Sequence, residues 1–212
     1  MPKTAPSPLS GRRRQAARND QLILQAAREV FLANPGAPIS DVARRAAVGI
    51  SALYARYASK EDLLRKLCTD GLQRFVEETE AAIADQRDDW SVFSDYMQRL
   101  VDADTSSLTL ALAGRFTPTK EMFLLAEHAN ELSRKLFKRI KGQLRPGVDV
   151  HDISLTFELV AAVRLGDPAR TKQLRRRYLA VILDGLRARD RGRLQGPPPS
   201  WQEINRRWAA DP

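Results

Sequence analysis

The side chains able to carry out covalent or redox chemistry in this chain are few and scattered. Its one cysteine, Cys68, stands far from His128 and His151, and nothing nearby completes a set of nucleophile, base and orienting group. No glycine-rich phosphate loop is present, and no cluster of cysteines and histidines has zinc-ligand spacing. The chain is therefore expected to be no enzyme and to need no cofactor or metal. What is concentrated is positive charge. Residues 1 to 66 hold twelve lysines and arginines against five aspartates and glutamates, a surplus of seven out of the chain's net +9. A third of the chain carrying nearly all the excess charge points to a polyanion as its partner. The competing reading is a solvated basic surface that only maintains solubility.

Those cations need elements to hold them, and the spacing of apolar residues predicts helices throughout, with no run of strand-like alternation. Residues 1–17, rich in proline, serine and arginine, read as a flexible basic arm. Leu22, Ile23, Ala26, Ala27, Val30 and Phe31 then mark one face of a helix over 19–33 that Pro35-Gly36 ends. Short helices are expected over 39–46, begun by Pro38 in its first turn, and over 50–57. Ser59 can cap a long helix running to about residue 85, with Glu61 and Asp62 at its positive end. Further helices are expected over 90–104, 107–114, 119–143, 151–165 and 169–189, punctuated by Arg145-Pro146-Gly147 and Gly166-Asp167-Pro168. After Pro197-Pro198-Pro199, Ser200-Trp201-Gln202-Glu203 has the form of a capping box that opens one last helix. Trp201 and Trp208 are seven residues apart, so that helix should dock on the body or on a partner subunit.

The segments at 39–46 and 50–57 are two short helices joined by about three residues. Ala43, Ala46 and Ala47 permit close backbone approach, and Val42, Val48 and Leu53 supply apolar contacts. Such a pair is a helix-turn-helix, whose second helix can enter the major groove of DNA.

The order and spacing of QAAREVF, DVARRAAV, ALYARY and SKEDLL between Leu22 and Leu64 resemble the DNA-binding domain of the tetracycline-repressor family of bacterial regulators. The resemblance implies an all-α protein with a three-helix DNA reader at 18–60, an effector-binding and dimerisation domain at 61–190, and a C-terminal extension at 191–212. It implies a cytoplasmic homodimer that binds a double-stranded, palindromic operator and releases it when a small molecule binds. Repression by occupancy is the default expectation. Gly49, Ile50, Ser51, Ala52 and Arg56 would face the groove, while Tyr54 and Lys60 would meet phosphates. Ile50 and Ala52 suit thymine methyl groups, Ser51 a base or a phosphate, and Arg56 is the one long polar reader. With so lean a reading face, DNA shape and an arm carrying Arg12, Arg13 and Arg14 are expected to contribute. Where the family often has glycine in the turn this chain has Ala47, and Gly49 is expected to absorb the geometry.

In the second domain, Trp90, Phe93, Met97, Phe116, Met122, Phe123, Phe137 and Phe157 are the candidate ligand-binding residues, methionine beside aromatics suiting an adaptable apolar cavity. The last two long helices are apolar over wide arcs, and Val160, Val163, Tyr178, Val181, Ile182 and Leu186 are the candidate dimer interface. No run of about 18 apolar residues predicts a membrane span, and the N-terminus lacks an apolar signal core. The alternative reading is a helical ligand-binding or interaction protein that binds DNA weakly and without specificity.

Overall fold

The computed structural model describes the backbone of residues 8–187 and 190–206, with side chains from residue 17 onward. The side chains of Arg12, Arg13, Arg14 and Trp208 lie outside the described residues. The chain forms two compact units, residues 1–67 and 68–212. Among the described residues all regular structure is helical. The division falls eight residues into a long helix, later than the expected boundary at residue 60.

The first unit holds α1 (Pro8–Ala33), α2 (Ile39–Arg45), α3 (Ile50–Arg56) and the start of α4 (Lys60–Ala84). The backbone from residue 8 to 17, expected to be a flexible arm, is instead helical and continuous with α1. Pro8 has its φ preset for a first turn, and the arginines, glutamine and alanines that follow are strong helix formers. Ile23, Ala26, Ala27 and Phe31 form the buried stripe of α1, whereas Leu22, placed in that stripe by spacing, is 44% exposed. Val42 of α2, Leu53 of α3 and Leu63 of α4 complete a core in which each is fully buried. Burying a side chain of this size is worth about 1.5–3 kcal/mol, so these few residues fix how short helices sit. Pro38 is the N-cap of α2 and not its first helical residue.

The turn between α2 and α3 is a Schellman motif. Val48 N–H donates to the Ala43 carbonyl at 3.0 Å and Ala47 N–H to the Arg44 carbonyl at 3.2 Å. The motif requires a left-handed residue at Ala47, whose φ is +54°. Gly49 has an ordinary extended backbone, φ −66° and ψ 141°, and is the N-cap of α3. The expectation that Gly49 absorbs the turn is therefore corrected: alanine itself adopts the strained conformation, because the hydrogen bonds that close α2 fall two residues earlier.

The second unit contains the rest of α4, then α5 (Asp89–Ala103), α6 (Thr105–Leu112), α7 (Lys120–Ile140), α8 (Val150–Ala162), α9 (Pro168–Arg187) and α10 (Trp201–Asn205). Local chemistry sets their starts. Asp88 accepts from Ser91 N–H at 3.0 Å, Thr119 from Met122 N–H at 3.3 Å, and Asp149 and Ser200 each form a capping box. Gly166, at φ +69°, precedes Asp167, which accepts from Arg170 N–H at 2.8 Å. Phe93, Met97, Leu100, Ile140, Val160 and Leu179 make the centre of the core. Tyr96 is buried among them with its hydroxyl 3.1 Å from Thr79, and that burial pushes its phenol well above its ordinary range.

Two arginines lock the helices together. Arg139 reaches the carbonyls of Ala82, Asp85 and Arg87 at 3.1, 2.7 and 3.1 Å and the Asp89 carboxylate at 2.7 Å, satisfying the C-terminal end of α4. Arg175 is buried, donating to Asp104 at 2.7 Å, Ser107 at 3.0 Å and the carbonyls of Ala161 and Val163 at 2.8 and 3.0 Å. A buried guanidinium is tolerated when its donors are met in this way.

Candidate nucleic-acid interface and internal cavity

Only Leu53 of α3 is buried, so the helix attaches by one edge and presents the rest of its surface. Gly49, Ile50, Ser51, Ala52, Tyr54 and Arg56 are all exposed, Ile50 at 41% and Tyr54 at 48%. The structure thus brings the predicted groove residues together on one outward surface. They are short and mostly apolar, apart from a phenol and a guanidinium.

Arg56 and Lys60 turn out to be bound within the unit. Arg56 Nε donates to Asp20 Oδ1 at 2.9 Å, and the Tyr57 hydroxyl donates to the same oxygen at 2.6 Å. The hydrogen bond from Arg56 holds the Asp20 carboxyl below its usual range, against the opposing effect of partial burial. Asp20 therefore ties α1 to the end of α3, and Tyr57, buried, is part of that tie. The Lys60 ammonium donates to the carbonyls of Gly36 and Ala37 at 3.2 and 2.7 Å and lies 5.3 Å from the Phe31 ring centroid. Those carbonyls belong to the turn after α1, which has no other helical partner to offer them. Lys60, expected at a phosphate, closes the turn between α1 and α2 in this DNA-free chain.

Other cations of this unit are also paired: Arg45 with Glu29 at 2.5 Å and Arg44 with Asp41 at 2.5 Å. These pairs are exposed, and exposed pairs are worth about 0–1 kcal/mol, so an approaching phosphate can compete for both arginines.

The second unit contains a half-open cavity of about 230 Å³. Phe75 of α4, Met122 and Phe123 of α7, and Phe157 of α8 give it apolar walls. Thr105, Ser106 and Thr109 of α6 supply hydroxyls, Asn130 and Ser133 of α7 an amide and a hydroxyl, and Glu158 a carboxylate. Of the predicted ligand residues, Met122, Phe123 and Phe157 line this cavity. Phe93 and Phe137 border only a small void beside it, together with Phe157. Trp90, Phe93, Met97 and Phe137 belong to the packed core, and Phe116 is buried away from the lining. Trp90, Phe93 and Met97 pack because α5, bordered by α6, α7, α8 and α9, has its apolar stripe filled by side chains of its own unit. The residues that sequence reasoning missed are the small polar ones of α6 and the C-terminal Trp201, Ile204 and Asn205. A helix of threonines and serines, α6, facing an otherwise apolar interior was the available signal.

The candidate dimer residues divide in the same way. Val160 and Leu186 are buried in their own core at 1% and 9% exposure, and Ile182 packs against it. Tyr178 and Val181 are exposed at 47% and 63%, and Val163 is half-buried. Leu159 and Leu165, not among the expected interface residues, are exposed at 65% and 63%. Each helix therefore has one buried and one bare apolar edge: on α9 the bare edge includes the predicted Tyr178 and Val181, and on α8 it falls at Leu159, one residue from the predicted Val160.

Comparison with known proteins agrees with this layout. Residues 23–67 match the model for bacterial regulatory proteins of the tetR family. Among solved structures, a TetR transcription regulatory protein from Mycobacterium vanbaalenii superposes with a TM-score of 0.52 at 26% identity, covering 82% of this chain and 98% of the other. The regulator PfmR from Thermus thermophilus gives 0.56 at 22% identity, over 77% and 98% of the two chains. LfrR from Mycobacterium smegmatis, solved with proflavine, gives 0.54 at 17% identity, over 80% and 97%. A sequence comparison with curated proteins gave no match. The family match and the exposed second helix make residues 23–67 similar to the DNA-binding domain of the tetR family of bacterial regulatory proteins, and the rest of the chain shares the all-helical architecture of the solved regulators.

Proposed function

We propose that the protein is a homodimeric repressor that holds a palindromic operator and lets it go when a small molecule occupies the cavity of the second unit. The observation that carries this reading is α3, which buries Leu53 and leaves every predicted groove residue exposed. Ile50 and Ala52 meet thymine methyl groups, Ser51 and Tyr54 meet a base edge and a phosphate, and Arg12, Arg13 and Arg14 add phosphate contacts ahead of the reader. Arg56 reads a base only by leaving Asp20, so its contribution is the difference between two partners and not a free gain.

The bare edges of α8 and α9, with Leu159, Tyr178 and Val181, are the natural dimer seam, since exposed apolar patches of this kind are rare on monomers. Two readers then engage half-sites about 34 Å apart. The carrier between ligand and DNA is α4, which lines the cavity from Cys68 to Phe75 and begins with Lys60. A ligand that shifts α4 biases the spacing of the readers, and the coupling works equally in reverse. Occupancy of an operator takes place where the chromosome is, in the cytoplasm.

Native mass spectrometry of the full-length protein with a selected duplex and a metabolite panel tests the reading. Two chains per duplex, dissociated by at least one metabolite that adds its mass to the dimer, is the expected result. Ligand-free monomers that ignore DNA overturn it. Weak binding to all duplexes would favour a helical ligand-binding protein without operator specificity.

A further inference from the structure

The C-terminal extension returns along its own unit with two anchors. At the first, Arg145 Nε donates to the Gly192 carbonyl at 2.8 Å and Leu194 N–H donates to the Pro146 carbonyl at 3.1 Å. The seating is close: Gly147 beneath it has φ +92°, and a Cβ there would lie 2.8 Å from Arg193 Cγ. Leu194 also packs on the core. Pro197–Pro199 then leads to α10, the second anchor, where Trp201 stacks on the buried His151 with ring centroids 6.3 Å apart. Trp201, Ile204 and Asn205 of that helix are cavity wall. An extension tied down before and after its proline spacer is a built part of the cavity.

The chemistry of the lining restricts what can enter. Among the described residues no lysine, arginine or histidine borders the cavity, while Glu158 does, which opposes an anion. Phe75, Phe157 and Trp201 provide flat apolar faces suited to a ring. A void of about 150 Å³ already accommodates benzene, so about 230 Å³ suits one or two small rings. The Thr105 hydroxyl is buried at this wall and has no hydrogen-bond partner among the described residues. Because Thr105 is the first residue of α6, the carbonyl one turn back that usually accepts from a helical threonine is not presented to it. A ligand oxygen is the partner it lacks.

Resting on the effector reading above, we propose that the cavity takes a compact, ring-bearing molecule without negative charge, which hydrogen bonds Thr105 through an oxygen while Trp201 of the C-terminal helix closes over its ring. Titration calorimetry of the full-length protein with 2-naphthol and 2-naphthoate tests this. The expected result is saturable binding of 2-naphthol, with 2-naphthoate at least about tenfold weaker. Thr105→Val should weaken 2-naphthol by about tenfold. Trp201→Ala should weaken it by about tenfold or more, and Trp201→Phe should recover most of the loss. Circular dichroism confirms that each variant keeps its helix content. The inference is overturned by 2-naphthoate binding as well as 2-naphthol, by no saturable 2-naphthol binding, or by unchanged binding in a folded Trp201→Ala protein. A duplex-binding assay on the same preparations separates the two levels. DNA binding without naphthol binding removes only this inference, whereas absence of DNA binding by the unsubstituted protein removes the regulator reading.

Discussion

Replacing Ala47 by glycine should stabilise the DNA-reading unit. Ala47 sits at φ +54° because the Schellman bonds from Ala47 and Val48 to Arg44 and Ala43 demand it. An L-residue with a Cβ pays about 1–2 kcal/mol to be left-handed. Glycine removes that strain but gives the unfolded chain extra freedom worth about 0.4–1 kcal/mol. The difference leaves Ala47→Gly more stable by about 0.5–1 kcal/mol. Hydrogen exchange read by mass spectrometry over residues 39–57 isolates this unit, which a global melt of a two-unit chain would not. A gain of about 1 kcal/mol corresponds to roughly fivefold slower exchange through opening of the unit. Gly49→Ser is the control. The backbone of Gly49 is extended and nothing lies within 4 Å of a Cβ there, so serine should be accommodated and can cap α3. Faster or unchanged exchange in Ala47→Gly, or marked destabilisation by Gly49→Ser, would refute the assignment of strain to residue 47.

Four further variants test particular contacts. Lys60→Met should lower the stability of the first unit by about 1–3 kcal/mol in the same exchange measurement, because the Gly36 and Ala37 carbonyls lose their donor. Asp20→Asn should free Arg56 for DNA, steepening the salt dependence of duplex binding by about one unit of slope, measured by fluorescence anisotropy. The Asp20 carboxyl is held low by Arg56, so its contribution to stability is present above the ordinary aspartate range near about 3.9 and is lost as pH falls below it. Acid unfolding of Asp20→Asn should accordingly be less steep in that window. Leu159→Asp combined with Val181→Arg should yield monomers by analytical ultracentrifugation with unchanged helix content, both side chains being more than half exposed. Arg175→Ala should destabilise the second unit by about 3–5 kcal/mol in urea, since the Ala161 and Val163 carbonyls lose their buried donor and Asp104 loses this guanidinium.

Much of the architecture was legible because its signals are local. Gly166-Asp167-Pro168 specifies a left-handed residue, a cap and a first turn within three positions, and the structure realises all three. The helix-turn-helix was equally readable, since small alanines and Leu53 act over a few residues. What escaped depends on partners distant in the chain. Arg56 reads as a base contact and Lys60 as a phosphate contact, and their partners within the unit, Asp20 and the Gly36-Ala37 carbonyls, lie 36 and 23 or 24 residues away in the chain. The Ala47 strain hinged on where the hydrogen bonds closing α2 end, a matter of one or two residues that composition does not decide. In the second unit, Phe93 and Met97 share the residue types of a cavity lining but are consumed by packing. Apolar spacing identifies a buried face without revealing whether a side chain or a void lies opposite. Leu159 and Val160 show the same limit, being adjacent residues of which one is exposed and the other buried in the core.

The central claim is that α3 reads a specific sequence as one half of a symmetric pair. Selection of bound duplexes from a random pool by the full-length protein measures this most directly. The expected result is enrichment of a palindrome whose half-sites are about one helical turn apart, with thymines opposite Ile50 and Ala52. A pool that stays unenriched, with uniformly weak and salt-sensitive binding, would contradict it.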